Sequence, residues 1–229
     1  MKKKLIIFGN GEIADMAFYY FKNENKYKIE AFCVDKEFIK EIKFNNLPII
    51  PFNEIENKYS PENNDFHLAL SYQKLNTTRE KKFNEIQAKN YNFASYISKK
   101  SYISKNINKF GKNLFILENQ TIQNNVEIHD NVMLWSGNHI GHGSIINSHA
   151  YISSHVVVSG YCSIGKRCFL GVNSSIADFC KIGDDCFIGM GSNITSNLKS
   201  GSTAVSKNTE IFLEDNRIGK FIKNKFFKF

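Results

Sequence analysis

The chain has 229 residues, 42% hydrophobic and 14% aromatic, enough to bury one large domain or two small ones, which excludes wholesale disorder. Its formal charge of +8 raises nucleic acid as a partner, but only three of the thirty basic residues are Arg, the side chain that reads guanine and phosphate bidentately. The basic surface is therefore expected to attract small anions such as CoA or a nucleotide-sugar, and nucleic acid is not expected.

The first residues, Met1-Lys2-Lys3-Lys4, imitate the basic flank of a signal peptide, but the apolar run ends at Phe8 and is too short for export. No apolar run reaches membrane-spanning length, so a cytoplasmic protein is expected and membrane association is not. Five cysteines without a CxxC pair fit a reducing compartment and give no metal site.

Residues 1–98 alternate strand and helix patterns. Lys4 to Phe8 reads as a strand, Gly9-Asn10-Gly11-Glu12 as a glycine loop, and the next residues through Phe21 as a helix. Strands are expected at Ile29–Val34, ending at Asp35, at Phe66–Leu70 and at Asn92–Ile97, with a charged helix over Thr78–Lys89. This order implies a small Rossmann-like parallel sheet. A glycine loop after the first strand and an acid after the second can hold a nucleotide's phosphate and ribose. The full GxGxxG is absent, so a plain structural turn stays open.

Residues 99–205 follow a period of six. From Phe110 to Ile194 every sixth residue is bulky and apolar, and only Ser200 breaks the series. Four residues after each of them stands a mostly small or β-branched side chain, a set that includes Cys162, Cys168, Cys180 and Cys186. One large and one small inward position per hexad is the requirement of a triangular left-handed β-helix, in which eighteen residues make a coil. The four cysteines are then core, not redox or metal groups. Glycines at the second position, such as Gly141 and Gly165, are expected where the chain turns.

Residues 206–229 read as an amphipathic helix, with Ile218, Phe221, Ile222, Phe226 and Phe229 on one face and Lys220, Lys223, Lys225 and Lys228 largely opposite. A membrane-surface helix is one reading. Packing over the solenoid or a neighbouring subunit is the favoured one.

Function must lie in side chains that leave the solenoid axis, and His139, His142 and His155 do so. Histidine suits removal of a proton near neutral pH, as acyl transfer from a thioester requires. Eighteen-residue stacking places His142 between Asn124 and Gly160. Asn124 is the expected orienting group for the imidazole, and the Gly160 amide the expected donor to the thioester oxygen. His139 and His155 are expected as substrate contacts, His129 and His149 at the surface, and His67 in local packing. Trp135, pointing outward, either packs against a subunit or stacks on a ligand.

The segments Ile6-Ile7-Phe8-Gly9-Asn10-Gly11-Glu12, Val34-Asp35, Asn76-x-x-Arg79, Ile140-Gly141-His142 and Ser159-Gly160 followed by Ile164-Gly165 resemble the bacterial sugar acyltransferase family. The family includes nucleotide-amino-sugar N-acetyltransferases and sialic acid O-acetyltransferases, and the likeness runs to about residue 205. It implies a homotrimer that uses acetyl-CoA as co-substrate and no metal. It also implies a nucleotide-sugar held by Gly9, Asn10, Gly11 and Asp35, His142 as base, Gly160 at the thioester, and Tyr151, Val172 and Met190 along the CoA groove. N-acetylation is the leading expectation, sugar O-acetylation the alternative, and a non-catalytic nucleotide-sugar-binding scaffold the reading from another class. Two departures stand out: Gly143 where the family has an acid after its base, and Thr203 where it has a proline.

Overall fold

The computed structural model describes residues 2–213 and 215–227. Its N-terminal sheet holds β1 (Lys3–Phe8), β2 (Tyr27–Val34), β3 (Lys43–Phe44), β4 (Leu47–Pro51), β5 (Asn64–Leu68) and β6 (Asn92–Phe93), in the order β3-β4-β2-β1-β5-β6. Helices α1 (Glu12–Glu24), α2 (Ile55–Lys58) and α3 (Thr77–Ala88) connect its strands. All pairings are parallel except the hairpin of β3 with β4. That hairpin was not foreseen, although Asn45-Asn46 supplies the two consecutive positive-φ residues a tight turn needs. Leu5, Ile7, Phe32 and Val34 face α1 in one cluster, while Ile6, Phe8, Phe66 and Ile86 fill the other side of the sheet.

The strand expected over Asn92–Ile97 is two strands. Asn92–Phe93 closes the first sheet, whereas Tyr96–Ile97 pairs with Phe115–Ile116 and opens a parallel β-helix. The hexad pattern hides this coil because Ile103 and Phe110 lie seven residues apart, one more than the repeat.

The left-handed β-helix has three sheets of seven, six and five two-residue strands. Its axis is filled by the expected apolar column from Ile116 to Ile194, and all four solenoid cysteines are buried there. Burial pushes the Cys168 thiol up to about 12, so it stays protonated. At the far end Ile182 bridges Leu198 and Thr203–Ala204 pairs with Phe187–Ile188, a coil two residues short. Ser200 is therefore not an inward residue. Leu198 and Ala204 take those places.

The corners turn elsewhere than the sequence pattern implied. Every sixth residue from Asn113 to Gly191 has a positive φ, three places after each large inward residue. The second-position glycines instead admit the next coil: a side chain on Gly141 would lie 2.5 Å from the Ser159 carbonyl carbon.

One corner column, Asn113, Asn131, His149 and Arg167, docks the N-terminal domain. The amide of Leu68 donates to Asn113 (2.7 Å), and Arg167 pairs with Glu80 on α3 (3.0 Å). Arg79, only 1% exposed, donates to the backbone and side-chain oxygens of Asn131 at 2.9 and 3.2 Å. Burial pulls its pKa down to about 10, still charged near neutrality. His149 is buried here rather than at the surface, because α3 covers it. Asn131 donates to its Nδ1 (2.9 Å), and burial lowers its pKa to about 4.

Helix α4 (Arg217–Phe227) ends the described chain. Of the two partners expected for it, the chain's own solenoid does not cover Ile218, Phe221 and Ile222, which are exposed in the single chain. Phe229 and Lys228 lie outside the described residues, and the side chain of Phe226 is not described. No described helix is long and apolar enough to cross a membrane.

Candidate active site

Three concave regions carry the candidate residues. The first, about 450 Å³, opens at the carboxyl ends of β1, β2 and β5 and gathers Gly9, Asn10, Gly11 and Asp35 with the first turn of α1. Gly9 must be glycine, since its φ is +130° and a side chain would meet the Ala69 carbonyl oxygen at 2.6 Å. Lys82, absent from the sequence reading, reaches this pocket from α3 and pairs with Asp35 at 2.7 Å. Burial opposes its charge, but hydrogen bonds to Asp35 and Glu85 outweigh that and hold its pKa above the ordinary value. Helix periodicity, three residues after Arg79, was the only sequence signal for it.

The second region is an aromatic groove of about 590 Å³ on the seven-stranded face, which brings together Tyr151, Val172 and Met190. Trp135 lines it and donates to the Tyr151 hydroxyl at 2.5 Å. Tyr151, Phe169 and Phe187, eighteen residues apart, stack with centroids 5.5 Å apart at each step. Tyr72 from the N-terminal domain meets Tyr151 edge-on at 5.0 Å and closes one end. The ladder was readable as an eighteen-residue aromatic repeat beside the inward residues.

The third region surrounds His142, at the corner between the six- and five-stranded sheets. A cavity of about 330 Å³ is lined by His142, Gln123, Asn124, Thr121 and Tyr102. The orienting contact comes from Gln123, not from Asn124. Gln123 Oε1 accepts from the His142 backbone amide (2.9 Å) and from Nδ1–H (3.1 Å). Asn124 is instead tied to the Ser104 hydroxyl. With the proton on Nδ1, Nε2 carries the free lone pair.

Gly160 floors the site, since a side chain there would lie 2.8 Å from His142 Cε1 and 3.0 Å from Nε2. Its amide, expected to be free, donates to Asp178 Oδ1 at 2.8 Å. Lys112 and Lys166 donate to Asp130 and Asp184 in the same way, so this is how the solenoid satisfies that amide.

Gly143 also has a structural cause. Its φ is +66°, and a side chain would strike the Tyr161 ring at 2.6 Å. That ring stands edge-on to His142, centroids 4.9 Å apart, and stacks on Phe179. An acid cannot follow the histidine here without displacing Tyr161.

His139 lies in the six-stranded sheet, and His155 turns the corner on the other side of that sheet from His142. His67 is fully buried, with Nδ1–H donated to the Ala94 carbonyl (3.0 Å) and its pKa lowered to about 4 by burial. Among the described residues no cluster of metal-ligating side chains occurs.

In sequence, residues 111–160 and 161–196 match the family model "Bacterial transferase hexapeptide (six repeats)". Among curated proteins there is no significant sequence match. In fold, the chain superposes on the acetyltransferase domain of PglB from Neisseria gonorrhoeae FA1090 with a TM-score of 0.78 at 20% identity, covering 88% of this chain and 96% of that one. A variant of perosamine N-acetyltransferase from Caulobacter crescentus, in complex with CoA and GDP-perosamine, gives 0.79 at 16%, covering 89% and 93%. WeeI from Acinetobacter baumannii AYE gives 0.57 at 12%, covering 92% and 100%. Residues 111–196 thus match the hexapeptide-repeat model, and the chain as a whole has the fold of these three solved structures.

Proposed function

We propose that the protein is an acetyl-CoA-dependent N-acetyltransferase acting on a nucleotide-linked amino sugar in bacterial surface-glycan biosynthesis, in the cytoplasm and as a homotrimer. The pose of His142 carries this reading: Gln123 holds Nδ1–H, and Nε2 presents its lone pair beside the bare Gly160 backbone. The acceptor amine attacks the thioester carbonyl carbon, a C–N bond forms, and the C–S bond breaks. His142 takes the amine proton and returns it to the departing CoA thiolate. Gly160 N–H serves the oxyanion once the exposed Asp178 side chain turns away from it.

In this account the pocket at Gly9, Asn10, Gly11 and Asp35 takes the nucleotide-sugar. Amides of the α1 first turn and the Lys82 ammonium favour phosphate, and Asp35 accepts from a hydroxyl. His139 and His155 contact the acceptor, while Trp135, Tyr151, Val172 and Met190 line the path of acetyl-CoA. The fold shared with a structure that holds CoA and GDP-perosamine supports both assignments.

A second copy is needed because one chain leaves the parts separated. The N-terminal domain packs on the seven-stranded face, whereas His142 sits at the corner of the other two sheets. A neighbouring copy supplies the missing side.

The neutral Gln123 behind the imidazole favours an amine over a hydroxyl, which demands a stronger base. His142→Ala tests the assignment. Acetyl transfer should be lost with acetyl-CoA binding retained; unchanged turnover would point to a different base, whereas no transfer by the native protein would point to a scaffold.

A further inference from the structure

The segment after the β-helix combines exposed apolar residues with a basic helix. Ile211 and Leu213 are 83% and 73% exposed, and Ile218 and Phe221 on α4 are 55% and 68% exposed. Ile218, Phe221 and Ile222 stand at spacings of three and four, so they share one helical face. Arg217, Lys220 and Lys223 are also exposed; Glu214 and Asp215 precede the helix, and no acidic residue occurs between Asn216 and Phe229.

We infer that this segment attaches the protein reversibly to an anionic membrane surface. A helix of eleven residues is about 16 Å long, too short to span a bilayer but suited to lying in the headgroup plane. Its apolar face would sink toward the acyl chains while the basic residues meet phosphate. Lys220 and Lys223 lie largely opposite the apolar face, the division of a helix that rests at an anionic interface. Each basic residue near an anionic surface contributes about 1 kcal/mol, and short apolar helices need that second contribution for stable attachment. This inference does not depend on the assignment of the catalytic site.

The test is co-sedimentation of the full chain with vesicles of phosphatidylglycerol and phosphatidylcholine, and with phosphatidylcholine alone. Binding is expected only to the anionic vesicles and should fall with added salt. Lys220→Gln and Lys223→Gln should each weaken it about fivefold. Phe221→Asp should abolish it with the melting temperature and oligomeric state unchanged. Absence of binding to anionic vesicles overturns the inference. So does a change of oligomeric state in Phe221→Asp, which would give the face to a second copy of the chain.

Discussion

Gln123 Oε1 accepts hydrogen bonds from both the backbone amide and the Nδ1–H of His142, and so sets the tautomer of the proposed base from one neutral side chain. Gln123→Ala is expected to lower kcat roughly 10- to 100-fold, less than the roughly 100- to 10,000-fold that general base catalysis contributes as a whole, because the imidazole itself remains. Acetyl-CoA affinity should barely change. Gln123→Glu should retain turnover and shift the pH profile upward, because a carboxylate favours the imidazolium. Steady-state kinetics against pH check both. An unaltered profile in both variants would remove Gln123 from the mechanism.

Restoring an acid after the histidine should fail. Gly143→Asp forces a side chain into a positive-φ position and into the Tyr161 ring, so a loss of roughly 1–3 kcal/mol is expected. Paired with Tyr161→Ala, which vacates the space, the same change should cost less. Thermal melts of the single and double variants measure the difference.

Arg79 ties α3 to the solenoid while buried without a carboxylate partner. Arg79→Ala leaves the backbone carbonyl oxygens of Asn131 and His149, to which the guanidinium donates at 2.9 and 3.4 Å, unpaired and opens a cavity, for an expected loss of roughly 3–5 kcal/mol. Hydrogen exchange should then show early opening at the junction of the two domains, with the solenoid interior still protected.

The buried imidazole of His67 makes stability depend on pH. Its folded pKa of about 4 lies below the ordinary 6.5, so the unfolded chain binds the proton first as pH falls. The contribution is fully present above pH 6.5 and is lost progressively toward pH 4, on the order of 3 kcal/mol in all. His149 adds a loss of the same sign. Urea midpoints from pH 7.5 to 4.5 should decline, and His67→Phe should flatten part of that decline.

The solenoid was legible because a period of six is a strict geometric demand, and four cysteines in its small inward places read correctly as core. Its ends were not, since one inserted residue before Phe110 and two missing ones before Leu198 shift the register. Gly9, Asn10, Gly11 and Asp35 do share a pocket, as their strand ends implied. The contacts of His142 escaped the sequence for a different reason. Backbone stacking names Asn124 as its neighbour, but the longer side chain of Gln123 reaches the imidazole, and stacking alone does not say where side chains turn. The occupied Gly160 amide was hidden likewise, because it depends on which way Asp178 bends.

The central claim is acetyl transfer from acetyl-CoA to the amine of a nucleotide-linked sugar, with His142 as base. The most direct test is mass analysis of a panel of nucleotide-amino-sugars incubated with acetyl-CoA and either the native protein or His142→Ala. The account predicts one added acetyl group on at least one panel member with the native protein and none with the variant. Native protein that binds acetyl-CoA yet acetylates no member, or a variant as active as the native chain, would contradict it.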